Sequence, residues 1–221
     1  MIPSLRKDFN KNFNKEKYEA FLADLHSKHP GAIEFRVAET PVFIDKSFTK
    51  KLTDACESII DVITDPSFKK MTDRAIPASD RVPNENDRSH MIAFDFGICI
   101  NDQNELEPQL IEMQGFPTLF GFQVYYPDTL YKHFDIPSNY TQYLGDYTRA
   151  SYLQDLKEII LGNVPAENVI LLEIKPHEQK QGLIFTVPRT ISVSNLFAFL
   201  ILSKKGRKFI TSTNSLKRKL K

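Results

Sequence analysis

Apolar positions along the first third of the chain recur at helical spacing. Over residues 14–28 they fall at Tyr18, Phe21, Leu22 and Leu25, with Asn14 placed to cap the start and Pro30-Gly31 to stop the helix. A second and longer series runs through Phe48, Leu52, Ala55, Cys56, Ile59, Ile60 and Ile63, predicting a helix over 46–63 with the Cys56 thiol on its inner face as a structural group. Between them, residues 33–44 are rich in β-branched and aromatic side chains and read as extended chain broken near Pro41.

The pattern then changes period. Residues 73–90 (DRAIPASDRVPNENDRSH) are polar and proline-punctuated and predict a long loop, in which Arg74, Arg81 and Arg88 could meet an anionic ligand. Residues 91–100 (MIAFDFGICI) and 108–113 (PQLIEM) are short apolar runs joined by NDQNELE, the signature of two strands and a turn. A helix is expected over about 118–126 and another over 150–161, ended by Gly162, followed by an apolar strand over 169–174 (VILLEI). Helices interleaved with strands make the fold class α/β, with α+β as the alternative, around a mixed or antiparallel sheet holding the 91–113 hairpin.

Each strand of that hairpin carries one acid, Asp95 and Glu112, set among residues expected to be buried. A buried carboxylate is costly unless a cation, a metal or several donors meet it, which makes these two the leading site candidates. Paired carboxylates are hard oxygen ligands suited to Mg²⁺, and Gln114, two residues past Glu112, would share its face and add an amide oxygen. On bare pattern the alternative is a pair of acids that caps a sheet edge or meets Lys or Arg.

The stretch AFDFGICINDQNELEPQLIEMQGFPTLFGFQ, residues 93–123, resembles the metal-binding hairpin of glutathionylspermidine synthetase-like enzymes, a branch of the ATP-grasp superfamily. Asp95 matches the family's first metal-binding acid and Glu112 its second; Gln114 stands where the family has Asn, and Ala93 where it has Arg. Pro117-Thr118 resembles the element that follows. The resemblance implies a partial ATP-grasp sheet with flanking helices, ATP and Mg²⁺ as cofactors, and a ligase that joins a small-molecule carboxylate to an amine through an acylphosphate. It also implies nucleotide-clamping lysines, expected beyond about residue 175.

Composition refines this. Two cysteines exclude a disulfide framework and a four-cysteine zinc site, and with no charged-then-apolar leader the chain reads as cytoplasmic. The densest apolar run, Leu196–Leu202, is far short of the roughly 20 residues that span a bilayer, so no membrane partner is expected. The net charge of +1 conceals an asymmetry: residues 1–178 hold 19 basic and 28 acidic side chains, whereas from Lys180 onward there are ten basic and none acidic. An acidic body opposes a polyanion, so no nucleic acid is expected, and Tyr125, Tyr126, Tyr131, Tyr140, Tyr143 and Tyr147 read as core and rim aromatics. Five histidines show no metal-ligand spacing except His26 and His29, expected to stay solvated at a helix end.

Residues 1–178 therefore read as an ATP-grasp-like fragment and 179–221 as a basic tail. The tail loses amphipathic period, and a neighbouring reading frame from Gly182, with permitted codons, restores balanced charge. A frameshift near 180–182 is the expectation, with two consequences: the last 40 residues pack poorly, and the chain lacks most of its nucleotide clamp and is inactive. The alternative is a non-catalytic protein that binds a small anion through the arginine loop or a partner through its tail.

Overall fold

The computed structural model describes residues 2–85, 89–115, 119–165, 168–173, 198–202 and 209–211. Among these residues the structure is mixed α/β, with the α-helices α1 (Pro3–Asn12), α2 (Lys15–Ser27), α3 (Lys46–Thr64), α4 (Phe68–Thr72), α5 (Phe122–His133) and α6 (Arg149–Leu161), and the strands β1 (Ala93–Ile100), β2 (Leu106–Gln114), β3 (Ile170–Glu173), β4 (Ala198–Leu202) and β5 (Phe209–Thr211). The chain divides into two compact units that interleave in sequence, one made of Met1–Arg6 and Val42–Pro117, the other of Lys7–Pro41 and Thr118–Lys221.

The second unit holds most of the core. Asn14 caps α2 as expected, its side chain accepting from the Lys17 amide at 2.8 Å. On the expected apolar face of α2, which meets α5, Phe21 and Leu25 are fully enclosed, as is Val124 of α5, while Tyr18 and Leu22 are half-buried. Phe21 meets the rings of Tyr126 and Phe134 edge-on at 5.7 and 5.8 Å. Buried between the helices, the Tyr125 hydroxyl donates to the Leu25 carbonyl at 2.8 Å. At the solvent margin of the same pair, Asp24 Oδ2 meets His133 Nε2 at 3.1 Å and Lys132 Nζ at 3.7 Å. Thr148 and Ser151 cap α6 reciprocally, and the helix begins at Arg149, one residue before the predicted start.

Two expectations are corrected here, those for residues 118–126 and for His29. The helix expected over 118–126 runs over Phe122–His133, continuing through Pro127 because its buried face, including Val124, Tyr125 and Leu130, outweighs the missing N–H. Residues 33–44, read as extended chain, bury Ile33, Val37 and Phe43 without ladder pairing, and the Tyr18 hydroxyl donates to the Val37 carbonyl at 2.6 Å. His29 is buried, not solvated; it stands edge-on to Tyr125 at 4.8 Å, and burial pushes its pKa down. Helix α1 was not anticipated; its Phe9 packs on Phe134 at 5.3 Å.

In the same unit β4 lies between β3, to which it is parallel, and β5, to which it is antiparallel. The strand expected over 169–174 is thus present over Ile170–Glu173, and the segments Ala198–Leu202 and Phe209–Thr211 of the basic tail pair with it or with each other through the backbone. The rest of the tail lies outside the described residues.

The first unit contains α3, α4 and the β1–β2 hairpin. Asp45 caps α3 through the Phe48 amide at 2.8 Å. On α3 only Phe48 is buried, while the predicted face Leu52, Ala55, Cys56, Ile59, Ile60 and Ile63 is half-buried. Cys56 is shielded enough that burial, with Glu57 adding, pushes its thiol pKa up, as suits an unreactive thiol.

Candidate functional site

The hairpin is built by its turn. Asn101 accepts through Oδ1 from the amides of Gln103 and Glu105 at 3.1 and 2.8 Å, its carbonyl accepts from Asn104 N–H, and its own N–H donates to the Glu105 carbonyl at 2.9 Å. Asn104 has φ of 60°, the left-handed conformation that closes a three-residue loop after a tight turn and that asparagine tolerates. At the same end, Lys51 of α3 donates to the Leu106 carbonyl at 3.1 Å and lies 3.5 Å from Glu105. At the open end, the Ser89 hydroxyl joins the chain entering β1 to the chain leaving β2, contacting the Gly115 carbonyl and lying 2.7 Å from the Met91 carbonyl.

Pairing is antiparallel, with Ile100 opposite Leu106, Ile98 opposite Pro108, Gly97 opposite Gln109 and Phe96 opposite Leu110. Continued alternation would then place Ile111 opposite Asp95 and send Glu112 to the face of Phe94 and Phe96. Instead the register shifts at this point, leaving Ile111 unpaired and setting Glu112 opposite Asp95, Met113 opposite Phe94 and Gln114 opposite Ala93. The bulge therefore gathers Glu107, Gln109, Glu112 and Gln114 on the face of Asp95. Leu106, Pro108, Leu110 and Met113 gather on the other face, with Phe94, Phe96, Ile98 and Ile100. Ile111 sits 71% exposed on the acidic side, its Cδ1 3.7 Å from where a β-carbon on Gly97 would lie.

Asp95, Glu112 and Gln114, singled out from sequence, are thus brought together. Gln114 Nε2 donates to Glu112 Oε1 at 2.6 Å and lies 3.5 Å from Asp95 Oδ2. One expectation about them is overturned: both acids are exposed, because a two-stranded sheet turns this face to solvent. Their interest lies in adjacency rather than in the cost of burial. Among the described residues no lysine, arginine or histidine nitrogen comes within 4 Å of either carboxylate, and no group of three or more His, Cys, Asp or Glu side chains could hold a metal ion.

The residues present fit a weakly held Mg²⁺. That ion commonly takes one or two carboxylates from the protein and fills its remaining positions with water and substrate phosphates. As arranged, the Gln114 amide donates between the acids. A half-turn about its last side-chain bond would present Oε1 to a cation instead.

The arginine loop is partly folded on itself. It forms two short 3-10 turns, Asp73–Ala75 and Ala78–Asp80. Arg81 makes a bidentate pair with Asp73 at 2.9 and 2.8 Å, and this hydrogen-bonded guanidinium holds the Asp73 carboxyl below its ordinary range. Arg74 is exposed in the first turn, and Arg88 lies outside the described residues, as do Pro117 and Thr118 of the family-like stretch. Arg81 is accordingly paired within the loop.

Sequence reading did not find the bulge, although its signal is present. The polar positions 107 and 109 and the polar positions 112 and 114 each keep period two, but the phase slips by one residue between them. No helix among the described residues is long and apolar enough to cross a membrane. No known family model, curated protein or solved structure matches the chain.

Proposed function

We propose that the β1–β2 hairpin is the metal-binding element of an ATP-grasp-type carboxylate–amine ligase, of which this chain is an incomplete and inactive fragment, with Asp95 and Glu112 holding Mg²⁺ against the phosphates of ATP and Gln114 assisting. The observation that carries this reading is the register of the hairpin: two acids from different strands face each other across a bulge, with an amide side chain hydrogen-bonded between them. Facing acids with no cation beside them among the described residues repel weakly in water and gain from a divalent ion that bridges them. When bound, the metal would neutralise phosphate charge during phosphoryl transfer.

The chain's own part is to present the carboxylates. The turn at Asn101–Glu105 fixes the register, the Ser89 hydroxyl closes the open end, and Gln114 holds the Glu112 carboxylate in place. The lysines that would clamp the nucleotide are expected beyond residue 175, outside the described side chains. The carboxylate and amine substrates follow from the family resemblance alone.

Titration calorimetry of the full chain with MgCl₂, ATP and both together tests the proposal. It expects Mg²⁺ to bind, with or without ATP, and the substitutions Asp95→Asn and Glu112→Gln each to weaken that binding tenfold or more, with the fold intact by circular dichroism. Absence of binding to the unsubstituted chain, or equal binding by all three proteins, overturns it.

A further inference from the structure

We draw no further inference here: the strongest candidate, the apolar face of the β1–β2 hairpin where Ile98, Ile100, Leu110 and Met113 stand exposed, carries nothing because nothing in the structure shows what covers it.

Discussion

Removing one residue from the middle of a strand ordinarily inverts every side chain beyond it, so deletion of Ile111 is a severe test of the hairpin register. Strand β1 has eight residues and β2 nine, and the extra residue is Ile111 at the bulge. Without it, Leu110 would be followed directly by Glu112, and regular alternation would keep Leu110 with Phe96 and Glu112 with Asp95. The energetic terms are small. Ile111 is 71% exposed, so it forfeits only about a third of the roughly 1.5–3 kcal/mol that full burial of such a side chain is worth, or about 0.5–1 kcal/mol. Against this, folding no longer orders one backbone residue, a saving of about 1–2 kcal/mol. The deletion is expected to leave stability within about 1 kcal/mol of the parent chain in urea unfolding. Cross-strand nuclear Overhauser contacts between Asp95 and Glu112 should persist. Deletion of Met113, which lies beyond the bulge, should by contrast move Gln114 to the face of Phe94 and break its hydrogen bond to Glu112. Loss of the Asp95–Glu112 contacts in the Ile111 deletion, or destabilisation above about 3 kcal/mol, would refute the assigned register.

Three further outcomes follow from the second unit. Phe21→Ala, at a fully enclosed position between α2 and α5, should cost about 3–5 kcal/mol, read as a lower urea midpoint; a cost below 1 kcal/mol would contradict that packing. Asn14→Ala should remove the cap on Lys17 N and cost about 1 kcal/mol, measurable in the same assay, with Asn14→Asp close to neutral. Stability should also decline in acid. Burial lowers the folded-state pKa of His29, so the unfolded chain binds the proton first, and stability is lost as pH falls below the ordinary histidine range near 6.5, by at most about 1.4 kcal/mol per pH unit. The Asp24 carboxyl, held low first by its hydrogen bond to His133, adds a second loss as pH falls below about 4 towards its folded pKa. His29→Gln should flatten the profile between pH 7 and 5, and an unchanged slope there would rule out His29 as its source.

What the sequence revealed, and what it hid, follows from which interactions are local. Helices α2, α3 and α6 were legible because each states its period and its cap within its own segment: Asn14, Asp45 and Thr148 all bond amides three residues ahead. His29 was misread because the Tyr125 ring beside it comes from α5, far along the chain.

The hairpin falls between these cases. Its strands and its three polar candidates were legible, yet the property first used to rank Asp95 and Glu112, burial among apolar neighbours, is absent. Strand pattern reports apolar content along the chain, whereas burial depends on what packs against each face, and α3 meets β2 without enclosing the acidic side. What places the two carboxylates together is a phase slip of one residue. Read without it, strict alternation from the turn gives Asp95 to one face and Glu112 to the other, and no shared site exists. A metal element at Asp95 and Glu112 therefore depends on Ile111, the residue that contributes nothing chemical to it, and the register must be tested alongside the ligands it aligns.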